Sequence, residues 1–210
     1  SNVRRVPGTG RLWRGYHPYK KSRPTFDTEK KRLLLVNRAL KKQGIKALIT
    51  LSGDEKPDPK AGEKISPYVK KIQKKGRQLF IDTSYETVYF APCSKEHREN
   101  IQKIGRFIIS QEGPYYIHCR LGSDRTGVFS ALFAALSGAS WEEIVRDYEM
   151  TGKAGFGEYR NGRLLAYSFR QLLGKAPEDC QDLQQELIGR LLQEQIFTAG
   201  EIACIQERLR

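Results

Sequence analysis

The stretch from Pro114 to Gly127 constrains this chain most, because an apolar run, a glycine-bearing turn and an apolar helix meet there without a spacer. Pro114 to His118 suits a short buried strand, Gly122 and Gly127 punctuate a turn, and Val128 to Leu136 has the Ala, Leu and Phe content of a buried helix. Cys119 therefore stands at the mouth of a helix N-terminus. Orphan backbone N–H groups there can ring an anion, and the positive end of the helix dipole favours a thiolate. Cys204 and Arg210 repeat the Cys-x5-Arg spacing of Cys119 and Arg125, yet no strand precedes them and no glycine separates them. That second pair reads as the face of a terminal helix, its thiol a small hydrophobe.

The rest of the chain reads as scaffold for this loop. Gly10 to Tyr16, Ile45 to Leu51 and Gln78 to Asp82 have strand character, and Tyr85 to Phe90 reads as a further extended piece. Helices are expected up to about Gln43 behind caps at Thr25 to Thr28, with Gly44 as the stop, then over Ser66 to Lys75, Ser94 to Ser110, Trp141 to Met150 behind Ser140, and Arg163 to Leu173. Lys153 to Gly157 reads as a flexible connection. Two amphipathic helices, Asp179 to Gln195 and Thr198 to Leu209, close the chain. Strands alternating with helices predict an α/β fold: a central, mostly parallel sheet flanked by helices, with extra C-terminal helices. Residues 1–210 read as one domain, with about 178–210 a helical extension packed on it. Ligands of such sheets sit beyond the carboxyl ends of the strands, where Cys119 falls.

Charge is unevenly placed. The net charge is +13, and residues 1–110 carry 26 Lys and Arg against 10 Asp and Glu, whereas residues 111–210 carry 11 against 14. Such a half suits an anionic partner, although Lys30-Lys31-Arg32, Lys41-Lys42, Lys70-Lys71 and Lys74-Lys75 fall on predicted helix faces, where exposed charge is ordinary. Four cysteines, at 93, 119, 180 and 204, are too scattered for a disulfide framework or a metal pair, which leaves a reduced nucleophile permitted and no metal or other cofactor expected. No apolar run has the length of a membrane span, so the chain reads as soluble. The start at Ser1-Asn2 leaves the compartment open: periplasmic or secreted if a targeting segment was removed before residue 1, cytoplasmic otherwise.

The string His118-Cys119-x-x-Gly122-x-x-Arg125-Thr126-Gly127 resembles the phosphate-binding loop of the cysteine-dependent protein tyrosine and dual-specificity phosphatases. Its ending Asp124-Arg125-Thr126-Gly127 is closer to the bacterial tyrosine/lipid phosphatases and, more distantly, to the phosphoinositide phosphatases. Arg11-Leu12-Trp13-Arg14-Gly15 and Gly138 to Ile144 resemble the flanking segments of the bacterial members. A phosphotyrosine phosphatase-like fold is the implied outcome. Chemistry points the same way: a free thiol titrates near ~8.5, and helix N-termini and cationic neighbours bring it to about 3.5–7.5. Cys119 is the expected nucleophile, forming a phosphocysteine that water then hydrolyses. Arg125 suits two-point grip of the transferring phosphoryl group, and the backbone amides of Arg120, Leu121, Gly122, Ser123, Asp124 and Arg125 complete the cradle for phosphate or sulfate. His118 ends the strand with its side chain opposite that of Cys119, which favours a structural role; the resemblance implies that it orients the loop. Thr126 is either a helix-start cap or, by the same likeness, a hydroxyl that helps the thiolate leave.

The acid for the leaving alcohol departs from the family pattern, because Tyr89-Phe90-Ala91-Pro92-Cys93 holds no carboxylate where the separate acid loop is expected. Asp124 is the first candidate, since the resemblance implies that Asp-Arg-Thr loops take their acid from that position; Asp82 at a strand end is the second and Asp54 the third. Phosphotyrosine and aryl phosphates are the expected substrates, with phosphoinositides or inositol polyphosphates as the rival. His17, Lys20, Lys21 and Arg23 are candidates for the mouth of either site. Transient contact with an anionic membrane is compatible with the charge. An RNA 5′-phosphatase or a silent phospho-binding module are alternatives, but no aromatic-basic RNA motif is evident, which argues against a stable nucleic-acid partner.

Overall fold

A computed structural model describes residues 2–23, 28–153 and 160–210. Five strands form one sheet in the order β1-β2-β5-β3-β4: β1 (Arg4–Arg5), β2 (Leu12–Gly15), β3 (Ala47–Thr50), β4 (Gln78–Phe80) and β5 (Tyr115–His118). Only β1 runs antiparallel; the others are parallel, with Gly15, His118 and Thr50 level across the sheet and Phe80 beside Thr50. The ends of the parallel strands thus share one edge. The expected α/β sheet is present, and the two-residue β1 is an addition that no pattern of that length announces.

Alternation along the central strands divides the core in two. Ala47, Ile49, Tyr115 and Ile117 point to one face, where they meet α4 (Lys95–Ser110), α5 (Asp124–Leu136) and the later helices. Leu48 and Tyr116 point to the other, against α1 (Thr28–Lys42) and α2 (Pro67–Lys74) through Val36, Leu40, Val69 and Ile72. Nearly every residue of α5 is buried, which explains its apolar run from Gly127 to Leu136, broken only by Ser130. The terminal pair, α8 (Leu183–Gln193) and α9 (Ala199–Leu209), packs on α5 and α4, and Leu209 accepts backbone bonds from Gly10 and Arg11.

Several boundaries differ from those expected. Tyr85 to Phe90 is not extended but forms helix α3, because Ser84 caps it by accepting from the Thr87 amide at 3.0 Å and because Val88 and Tyr89 bury on one side. Here capping and packing override the strand propensity of aromatic and β-branched residues. The tail helix begins at Leu183 behind the Asp182 cap rather than at Asp179, which instead ends a short turn of 3₁₀ helix starting at Pro177. Helices α6 (Trp141–Lys153) and α7 (Gly162–Leu173) flank the expected flexible connection, which from residue 154 onward lies outside the described residues, as do the caps expected at Thr25 to Asp27. No helix among the described residues is long and apolar enough to cross a membrane.

Candidate active site

The strand edge delivers the loop. His118 ends β5, Cys119 to Ser123 turn, and α5 starts at Asp124. Ser123 occupies the cap position but makes no side-chain cap bond; its hydroxyl donates to Asp124 Oδ2 at 3.1 Å instead. The first-turn amides of α5 are therefore left without a side-chain acceptor, the condition under which a helix start holds an anion. Cys119, almost wholly buried, lies in a cavity of about 320 Å³ with Arg120, Leu121, Ser123, Asp124 and Arg125 on the loop side and Thr83, Ser84 and Tyr85 opposite. A larger hollow of about 850 Å³ lies between α6 and α7, lined by Trp141, Val145 and Tyr167 among others, and no residue of the loop faces it.

Arg125 is held by its Nη1, which donates to the Leu51 and Thr83 carbonyls, each at 3.1 Å. Those carbonyls follow β3 and β4, so the sheet edge itself aims the guanidinium. His118 lies on the sheet face away from Cys119, stacked on Tyr116, with Nε2 2.9 Å from Thr50 Oγ1 and Nδ1 3.4 Å from the Cys119 carbonyl. Burial lowers its pKa to about 3, so it is a neutral brace. The Thr126 hydroxyl is fully buried and bonds to no described group; it makes no cap.

Gly122 shows what the loop demands of its sequence. Its φ is +69°, and a Cβ there would lie 2.3 Å from the Gly15 carbonyl oxygen. The Gly122 carbonyl accepts from Arg14 Nη2 at 2.9 Å, and Arg14 Nη1 pairs with Asp147 Oδ2 at 2.6 Å. Arg4 binds the other oxygen of Asp147. Burial first, and then the charge of Arg14, pulls the Arg4 guanidinium down to about 10. Buried Arg14 and part-buried Arg4, sharing one carboxylate, thus tie β1, β2 and α6 to the Cys119 loop. Sequence reasoning did not find them; a charged residue inside a strand, between Trp13 and Gly15, was the available signal.

Arg120 is fastened outward: its Nε pairs with Glu55, its Nη1 donates to the Lys21 carbonyl at 2.9 Å, and its carbonyl accepts from the His17 amide and the Ser22 hydroxyl. Residues 17–22 are in turn held by the buried Glu29–Arg32 pair. His17 and Lys20 consequently do not line the cavity: His17 is buried, accepting from the Lys20 amide, and Lys20 pairs with buried Glu63 at 2.7 Å. Lys21 and Arg23 are not among the residues around it.

Of the carboxylates among the described residues, only Asp124 lines the cavity. Its Oδ1 accepts from Tyr89 at 2.9 Å, and its Oδ2 accepts from Arg160 at 3.0 Å as well as from Ser123. Tyr89 also bonds Tyr148, and burial, followed by the neighbouring phenol and carboxylate, keeps the Tyr89 phenol far above its ordinary pKa and hence a donor. Asp82 is exposed beside Gly53 and Asp54 pairs with Lys56 at 2.7 Å; neither lines the cavity. Tyr89, Tyr148 and Arg160 were not singled out from sequence, since nothing local marks them. Among the described residues no three His, Cys, Asp or Glu side chains group as a metal site.

No curated protein matches the chain in a sequence search. Among solved structures, the core catalytic domain of the PP-IP phosphatase SIW14 from S. cerevisiae, in complex with citrate, is similar at 17% identity over 94% of each chain, with a TM-score of 0.47. The model of the tyrosine phosphatase family matches residues 37–192, from α1 through α8, with the Cys119 loop well inside the match. Since that match takes in most of the chain, this protein belongs to the tyrosine phosphatase family.

Proposed function

We propose that the protein is a cysteine-dependent phosphomonoesterase acting on phosphotyrosine and other aryl phosphates. The observation that carries this reading is the shared cavity of Cys119 and Arg125 at an uncapped helix start. Cys119 Sγ attacks phosphorus, forming S–P as the P–O bond to the alcohol breaks, and water then releases phosphate from the phosphocysteine. Arg125, anchored through Nη1, keeps its other N–H groups for the phosphoryl oxygens. Tyr85, half exposed on the opposite wall, offers a ring to an aryl leaving group.

Asp124 is the proposed acid for the leaving oxygen, supported by its place on the cavity wall. Its Oδ1 accepts only from Tyr89 among the described residues, which leaves a lone pair there for the proton. A second reading, hydrolysis of inositol polyphosphates, draws support from Arg120, which lines the cavity and whose guanidinium, paired outward with Glu55, would turn inward to meet further phosphate groups.

Turnover of p-nitrophenyl phosphate, phosphotyrosine peptides, phosphoinositides, inositol hexakisphosphate and 5′-triphosphate RNA separates these readings. Cys119→Ser is expected to abolish turnover while keeping substrate binding; a Ser variant with near-normal activity rules the thiol out. Asp124→Asn is expected to remove the basic limb of the pH–rate profile for poor leaving groups, and Asp82→Asn to leave it in place.

A further inference from the structure

We infer that the exposed faces of α1 and α2 form a docking surface for anionic lipid bilayers. The charge asymmetry of the sequence resolves on the structure into two kinds of basic helix. On α4 the cations are interleaved with acids or paired: Lys95 with Glu99, Arg98 with Glu194 and Arg106 with Glu201. On α1 the exposed positions include Lys30, Lys31, Arg38, Lys41 and Lys42, and the helix's one acid, Glu29, is buried against Arg32. The neighbouring α2 exposes Lys70, Lys71 and Lys74, followed by Lys75, and holds no acid at all. None of these nine side chains makes an ion pair among the described residues. The two helices touch and cover the same face of the sheet, so their charge forms one field.

A solvated helix face accounts for the lysines but not for what lies among them. Leu34 and Leu35 stand 54% and 37% exposed, one turn after Lys30 and Lys31 and one turn before Arg38. Cations flanking exposed leucines along a helix of about 22 Å are the pattern of a surface that enters the headgroup layer while its charges meet anionic lipid. Nucleic acid is the competing polyanion, but neither helix exposes an aromatic ring on which a base could stack; their single aromatic, Tyr68, is partly buried and donates to the Ile45 carbonyl. The N-terminal end of α1 also adjoins the catalytic loop, because Glu29 accepts from the Ser22 amide and the Ser22 hydroxyl donates to the Arg120 carbonyl. A bilayer held by α1 therefore lies close to the loop's Arg120 wall.

Vesicle sedimentation with the full chain tests this, comparing mixed phosphatidylcholine/phosphatidylserine vesicles with pure phosphatidylcholine at several salt concentrations. Binding is expected only to the mixed vesicles. Replacing Lys30, Lys31, Lys41 and Lys42 together by Gln is expected to weaken partitioning on the order of a hundredfold or more, and Leu34→Ser with Leu35→Ser by about tenfold. A control with Lys95, Arg98, Lys103 and Arg106 replaced by Gln should bind as the parent does. Circular dichroism and p-nitrophenyl phosphate turnover, expected to be unchanged in every variant, report folding; vesicle binding is read independently of that activity. Equal loss in the α4 control, no loss in the α1 variant, or tighter binding to RNA than to mixed vesicles overturns the inference.

Discussion

The chain contains three histidines, and all three are buried: His17, His97 and His118. Burial is the largest cause of the depressed pKa in each case, taking His97 to about 4, His118 to about 3 and His17 well below the ordinary value, with the neighbouring His118 as a further cause for His17. The folded protein keeps them neutral, whereas the unfolded chain protonates them as pH falls through about 6.5. Between that pH and the folded pKa values the unfolded state binds more protons, so stability is full above about 6.5 and is lost as pH falls. His97 and His118 each then cost about 1.4 kcal/mol at about pH 5.5 and about 2 kcal/mol at about pH 5, together about 3 and about 4 kcal/mol, and His17 acts in the same direction. Buried Glu29 and Glu63 do not blur this window. Burial works to raise the carboxyls of Glu29 and Glu63, but their bonded donors outweigh it and hold both below the ordinary 4.5, so their contribution is lost only at lower pH. Urea denaturation at a series of pH values is the assay. His97 stacks on Phe129 and its Nδ1 has no described partner, so His97→Leu should remove about one of the three protons from the slope. Stability that changes by less than about 1 kcal/mol between about pH 7.5 and 5.5, or an unaltered slope in the variant, refutes the reasoning.

The loop and its supports supply two further tests. Gly122→Ala puts a Cβ at 2.3 Å from the Gly15 carbonyl oxygen and at a φ of +69°, so kcat/KM for p-nitrophenyl phosphate should fall about a hundredfold or more as the cradle shifts; activity within a few-fold of the parent would show that the loop tolerates the displacement. Asp147→Asn leaves Arg14 and Arg4 without their shared charge and should destabilise the fold by about 3–5 kcal/mol in thermal or urea unfolding, while Asp182→Asn, at an exposed helix cap, should change little.

The centre of the sheet was legible because its strands there are short, fully buried and bounded by turn residues: Ala47–Thr50 and Tyr115–His118 both fall inside the runs that apolar patterning marks. The loop was legible for a related reason, since strand, glycine turn and helix are contiguous in sequence. Reasoning failed where the deciding contact is remote. Tyr85 to Phe90 has the composition of a strand, yet the burial of Val88 and Tyr89 and the Ser84 cap make it a helix. His17 and Lys20 looked available for a ligand, but Glu63, more than forty residues on, takes Lys20. Asp124 could be named from its motif, whereas its partners Tyr89 and Arg160, and Tyr148 behind Tyr89, come from α3, from the segment before α7 and from α6, and leave no local trace.

The tie through Asp147 bears on when the site comes into existence during synthesis. Arg4 and Arg14 leave the ribosome early, the Gly122 carbonyl much later, and the carboxylate that orients both guanidiniums later still, on α6. A nascent chain that ends short of α6 can pair its parallel strands but lacks the carboxylate that orients Arg14 against the turn. The proposed anion cradle is thus a late product of translation, finished after the strands around it.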